Sequence, residues 1–188
     1  MCGRYLFFDE QNAQMQRLIS LVKEKLPKQT FEELSLFEVF PTQNVIAYVL
    51  DSSTKEVGVK ILNWGIPKKN GRIINARSET ANTSLFFKDY YRTIIPACGY
   101  YEWDKEKNKY YFSTKEKTIY LAALAKQNTP KDQFVILTEE ASEPELQIHN
   151  RQPILFSKED AKAWLLGKSY DDSIKNSIHE RIMSRVSR

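Results

Sequence analysis

Soft metal ligands are scarce in this sequence, which has two cysteines, Cys2 and Cys98, and two histidines, His149 and His179, among 188 residues. With no CxxC pair, these side chains are too few and too scattered for a structural zinc site, so no metal and no other cofactor is expected. A disulfide between the two cysteines is formally open, but a reducing cytoplasm favours free thiols. Long apolar runs are missing as well. No stretch approaches the roughly 20 apolar residues that a membrane-crossing helix needs. The start, Met1-Cys2-Gly3-Arg4-Tyr5-Leu6, lacks the basic and extended apolar regions of a secretory signal, and a cytoplasmic protein is expected. Nor does one sign of charge dominate. The 28 Lys and Arg against 24 Asp and Glu leave a net +4, compatible with a polyanionic partner but far below histone-like density. Internal repeats and low-complexity tracts are absent, and the length suits one hydrophobic core. The expectation is a monomer with a single domain over residues 1–170. The tail, residues 171–188, rich in Ser and Arg, should fray or form a loosely held helix.

What is present is patterned. Met15, Leu18, Ile19, Val22 and Leu26 recur at helical spacing, with Asp9 as a candidate N-cap and Pro27 as a stop. Val45 to Leu50 and Val57 to Leu62 read as strands joined by the polar turn Asp51-Ser52-Ser53-Thr54. Further strands are expected at Arg72 to Asn75, Thr93 to Tyr101, Tyr110 to Ser113, Thr118 to Ala123 and Phe134 to Thr138. Helices are expected around Ser84 to Tyr91 and from Ser157, which can cap its own helix, to Gly167. Many short strands without a βαβ rhythm, flanked by helices, give an α+β class with curved sheets around one core.

Candidate chemistry begins at Cys2. Methionine aminopeptidases remove an initiator Met that precedes a small residue, and cysteine qualifies, so the mature chain should begin with Cys2. One residue then carries two nucleophiles. With reference pKa values of about 8.5 for the thiol and about 7.7–8.0 for the α-amine, both reactive forms should be populated near neutrality. An aldehyde meeting such a 1,2-aminothiol forms an imine and then closes onto sulfur as a thiazolidine. The plainer alternative is a small, semi-buried cysteine at a strand start.

Polar groups elsewhere shift that balance. Asn75-Ala76-Arg77-Ser78-Glu79-Thr80 places an amide, a guanidinium and a carboxylate at a strand end. Arg77 can clamp a phosphate and Asn75 can hydrogen-bond a sugar or an oxyanion, although an Arg77–Glu79 surface pair is the plainer alternative. In Pro96-Ala97-Cys98-Gly99-Tyr100-Tyr101-Glu102-Trp103 a carboxylate is enclosed by aromatics, which should desolvate it and suit it to proton shuttling. Glu102 shares its strand face with Tyr100, against the view that it merely points outward. His149, in Ile148-His149-Asn150-Arg151-Gln152-Pro153, is a candidate acid or base or else a loop residue, while His179 in the polar tail is given no role. Trp64, in Asn63-Trp64-Gly65-Ile66-Pro67, is either a base-stacking platform or core.

Taken with Cys2-Gly3-Arg4-Tyr5 and Pro41-Thr42, these segments resemble the SRAP family, the SOS-response-associated peptidases or abasic-site processing proteins, in the family's own order and from Cys2 to about Trp164. The resemblance implies a pseudo-barrel of bent mixed and antiparallel sheets with flanking helices and a basic groove for single-stranded DNA, at or near a junction with duplex. It further implies Cys2 as the nucleophile that captures the ring-opened sugar of an abasic site, with Asn75 holding the sugar or the cysteine and Arg4 and Arg77 on phosphate. Glu102 would shuttle protons, and His149 would assist in ring opening and reversal. Lyase and autoproteolytic activities belong to the same expectation. Phe40, Gln152 and Thr93 stand where the family commonly has Ala, Met and Cys, which bears on groove shape rather than on reaction type. Two other classes remain open: an N-terminal-nucleophile peptidase, with His149 as base, and a non-covalent single-stranded DNA-binding module that needs no Cys2.

Overall fold

The computed structural model describes residues 2–128 and 130–186. The β-branched hairpin forms as its pattern predicts: Asn44–Leu50 runs antiparallel to Val57–Trp64, with Leu50 opposite Val57. Asp51 closes the turn by accepting the backbone N–H groups of Ser53 at 2.8 Å and Thr54 at 3.1 Å, the local bonding that makes aspartate a turn former.

This hairpin is part of a closed ring. From Val57–Trp64 the ring passes through Asn44–Leu50, Tyr91–Ala97 and Ile119–Lys126 to Gln133–Glu140, which returns to Val57–Trp64 by a short parallel pairing. Gln133–Glu140 also carries Asn75–Arg77, in parallel, and Arg151–Pro153, antiparallel. Strand alternation gives the ring two apolar faces. Along Gln133–Glu140, Phe134 and Ile136 join a core containing Cys2, Tyr5, Trp64 and Tyr100. Val135 and Leu137 face a second cluster under the helix Lys158–Leu165, which contributes Ala161, Trp164 and Leu165. A separate antiparallel sheet of five strands has the order Ile182–Arg185, Lys109–Ser113, Gly99–Trp103, Tyr5–Leu6, Glu38–Val39.

The α+β class and the ring of strands with flanking helices match the architecture expected from sequence. Several local readings are revised. The helix Ala13–Lys25 is capped by Asn12, whose side chain accepts from Gln14 and Met15 N–H, while Asp9 instead accepts from Gln11 N–H in the preceding turn. The segment at Ser84 yields only the 3-10 turn Leu85–Phe87, and Tyr91 already opens a strand. The tail is more ordered than its composition suggests. It holds the helix Tyr170–Lys175 and then an edge strand, Ile182–Arg185, paired with Lys109–Ser113, while Ser187 and Arg188 lie outside the described residues.

The single strand expected over Thr93 to Tyr101 is two strands in different sheets, Tyr91–Ala97 and Gly99–Trp103, parted at Cys98. Cys98 is buried and pinned there, its thiol donating to Phe7 O and accepting from Asn12 Nδ2, each at 3.4 Å. Beside it a Cβ on Gly99 would lie 2.4 Å from the Tyr111 ring and 2.5 Å from the Phe112 carbonyl oxygen. Only glycine fits that approach. Gly99→Ala should therefore cost about 2 kcal/mol or more through overpacking, read as a lowered denaturant midpoint. An unchanged midpoint would show that the strand yields without strain.

Candidate functional site around Cys2

Cys2 lies three residues ahead of the first strand, Tyr5–Leu6, with no exposed surface. Its carbonyl accepts a hydrogen bond from Asn75 Nδ2 at 2.9 Å. Asn75 begins the strand Asn75–Arg77, which the parallel pairing Asn75↔Ile136 locks to the ring. The other side-chain atom, Asn75 Oδ1, is buried without a hydrogen-bond partner among the described residues. The fold thus brings Asn75 and Cys2 together and leaves one polar atom of the amide in reserve at the same place.

Opposite the cysteine stands the inward face of Gly99–Trp103. Tyr100 and Glu102 are buried, whereas Tyr101 and Trp103 on the other face are half-buried, as strand alternation requires. Tyr5 pairs with Tyr100 in register, which brings this face to the start of the chain. Burial pushes the Cys2 thiol well above its ordinary range, and the charges of Glu102 and Glu145 push it further, against a smaller opposing effect from a hydrogen bond with the Arg4 backbone N–H. Burial thus disfavours the thiolate of Cys2, which bears on the order in which amine and thiol react.

Glu145 was not anticipated. It sits with Glu139, Glu140 and Glu143 in a stretch whose acidity reads as a solvated loop, yet its side chain is fully buried. Tyr100 OH donates to Glu145 Oε2, Arg181 Nε lies 3.6 Å from the same oxygen, and Oε1 has no hydrogen-bond partner among the described residues. Desolvation pushes the Glu145 carboxyl up to about 7, despite the opposing pull of Arg181 and Tyr100. No local motif in the sequence announces this cluster, because Arg181 comes from the segment assigned to a loose tail.

His149 follows the short turn Glu145–Gln147, and its N–H bonds to Glu145 O at 2.8 Å. Its Nδ1 accepts the Arg151 N–H at 3.0 Å, so in the neutral ring the proton sits on Nε2. Arg151 in turn grips Glu79 through two bonds, at 2.6 and 2.9 Å, and donates to Thr138 O at 2.7 Å. The Arg77–Glu79 pairing considered from sequence is thereby replaced. Arg77 is exposed beside the site and makes no ion pair among the described residues.

The remaining expected contacts divide. Arg4 is partly exposed, pairs with Glu38 at 3.1 Å, and lies 3.9 Å above the Phe40 ring and 4.9 Å from Trp103. Lys109 meets the same Glu38 at 2.7 Å and covers Tyr101. Two cations on one carboxylate leave this aromatic face with a net positive charge. Trp64 belongs elsewhere: it is wholly buried, nearly parallel to Phe134 at 6.1 Å, with its indole N–H on Ile74 O at 3.0 Å. It is a core residue with no face open to a base. The departures noted in the sequence have structural partners of their own. Gln152 bonds Ser142 N–H and Glu139, and Thr93 donates to Tyr48 O.

The fold and site define a strand-ring protein in which a cysteine near the start of the chain faces buried acids. The chain belongs to the SOS response associated peptidase (SRAP) family, whose model matches residues 1–186. It is 30% identical to the abasic site processing protein YoqW of Bacillus subtilis over 95% of this chain and 86% of that protein. It is 28% identical to the abasic site processing protein YedK of Escherichia coli over 88% and 79%. Among solved structures, a phage-related protein from Bordetella bronchiseptica superposes with a TM-score of 0.74 at 17% identity, covering 100% of this chain and 95% of that one. That likeness bears on fold.

A buried carboxyl group whose folded pKa exceeds its unfolded value binds its proton more tightly in the fold, so its contribution to stability declines as pH rises from the ordinary 4.5 to about 7. Glu145→Gln removes that titration. The stability of the variant relative to the wild-type protein should increase across this window, measured by urea unfolding at several pH values. A difference that stays flat with pH would mean that Glu145 ionises normally.

Proposed function

We propose that this protein recognises abasic sites in single-stranded DNA and captures the sugar aldehyde on Cys2, which removal of Met1 makes the first residue. The observation that carries the reading is the Asn75–Cys2 hydrogen bond, which fixes the backbone of the cysteine while Glu102 faces it from the neighbouring strand. The abasic-site processing proteins to which the chain is similar supply the substrate class.

The reaction balances without a cofactor. The α-amine adds to C1′ of the ring-opened sugar, water leaves, and an imine forms. The Cys2 sulfur then adds to the imine carbon, the thiol proton is passed to the nitrogen, and a thiazolidine closes. A thiol held protonated suits this order, because the amine attacks first and sulfur second. Glu102 is buried, and a carboxyl there can give a proton to the departing hydroxyl and take one during closure. His149 presents Nε2 for sugar ring opening and for reversal of the crosslink. Asn75 holds the cysteine, and Arg77 and Arg4 carry phosphates, with Arg4 exchanging part of its hold on Glu38. The reading includes a monomer acting in the cytoplasm on strands at or near duplex junctions, with strand cleavage and self-processing as accompanying activities.

Mature protein mixed with an oligonucleotide bearing one abasic site should give a heat-stable band on a denaturing gel, and Cys2→Ala should give none. Equal crosslinking by Cys2→Ala would move the chemistry to a lysine, and peptide turnover without DNA reactivity would favour the peptidase reading. Glu102→Gln should slow crosslinking by about 10²-fold while leaving DNA affinity within a small factor; the reverse pattern would make Glu102 structural. Arg77→Ala should weaken binding to strands of every sequence and reduce the salt slope by about 0.7, the value for one phosphate contact on a single strand. An unchanged slope removes Arg77 from the DNA path.

A further inference from the structure

The proposed reaction accounts for Glu102 but leaves a second buried acid unused. Glu145 is held by groups from separate parts of the chain: Tyr100 on Gly99–Trp103, and Arg181 just ahead of Ile182–Arg185, whose side chain also donates to Pro153 O at 2.7 Å. Cys2, Glu102 and the positively charged terminal amino group also act on it or are acted on by it, the last holding both its carboxyl and the thiol down. Glu145 and Arg181 side chains have no exposed surface, so bulk water and salt screen these interactions little. One carboxyl oxygen receives Tyr100, and the other has no hydrogen-bond partner among the described residues and is free to carry a proton.

We propose that Glu145 is a positioning residue for Cys2, its carboxyl fixed by Arg181 and by Tyr100, which packs in the same buried cluster as Cys2, so that its charge sets the pH at which sulfur closes onto the imine. This rests on the thiazolidine reading of the site. When Glu145 is ionised its negative charge adds to that of Glu102 and opposes the thiolate, and when it is protonated that opposition is lifted. Burial pushes its carboxyl up to about 7, so its change of charge falls near neutrality. The device favours the productive order of bond formation. Sulfur is held back while the amine makes the imine, and the proton that the ring nitrogen gains at closure is the one the thiol gives up.

The test separates imine from thiazolidine. Mature protein is mixed with an oligonucleotide bearing one abasic site over a range of pH on both sides of neutrality. Borohydride, which reduces the imine and spares the closed ring, is added at intervals, and the two adducts are told apart by mass. Closure rises with pH as the thiol ionises. In Glu145→Gln the midpoint of that rise should move to lower pH by on the order of one unit, as expected when one nearby buried charge is removed. Arg181 keeps its own buried charge in that variant, so Glu145→Gln combined with Arg181→Gln provides the neutral pair, with a downward shift again expected. A midpoint that stays where the wild-type protein has it, whether or not all rates fall together with thermal stability, overturns the proposal and leaves Glu145 structural. Absence of both adducts in the wild-type protein overturns the thiazolidine reading itself.

Discussion

Desolvation of ionisable groups governs this site. Cys2, Glu102, Glu145 and Arg181 all lie at or below 8% exposure, in a region where an uncompensated charge is costly and interactions between charges are long-ranged. Specific partners meet part of that cost. Tyr100 and Arg181 serve Glu145, and Asn75 serves the Cys2 carbonyl. A buried ion pair of this kind is weak evidence for stability. Its place in the same buried region as Cys2 is what the proposed control of the thiol draws on.

The architecture explains how distant segments converge. Cys2 and Tyr100 belong to the apolar core that fills one face of the strand ring, and the five-stranded sheet brings the first strand beside Gly99–Trp103. The crossing at Cys98 and Gly99 is what lets one continuous stretch serve both sheets. Up to Ala97 it builds the ring, and from Gly99 onward it presents Tyr100 and Glu102 to the site. The second cysteine is therefore an architectural residue, with its thiol engaged by Asn12 and Phe7. Outside the site, the cations Arg4 and Lys109 over Phe40, Tyr101 and Trp103 give the adjoining surface an aromatic, positively charged character, suited to stacked bases and phosphates.

Much of this was legible in sequence because it is locally encoded. The hairpin around Asp51, the helix capped by Ser157 and the inward placement of Glu102 follow from turn chemistry, capping and alternation. Asn75, Arg77 and His149 stand out in sequence as candidates through the polar segments that carry them. What escaped depends on tertiary context. Glu145 is hidden near the exposed glutamates Glu140 and Glu143, and Arg181 in a polar segment with weak periodicity, so only their mutual burial reveals them. Trp64 could be read two ways, and the decision came from Phe134 and Tyr5, which reach it from other strands. The break at Cys98 was missed because apolar residues continue across it, while the steric demand that enforces it is made by Tyr111 and Phe112, more than ten residues later.

The pairing of Ile182–Arg185 with Lys109–Ser113 reaches further than the sheet it completes. Arg181 stands immediately ahead of this edge strand, so the guanidinium is delivered to Glu145 by the docking of that strand. Peeling the edge away would strip the buried carboxyl of its countercharge, which ties the electrostatics of the pocket to the integrity of an outer strand.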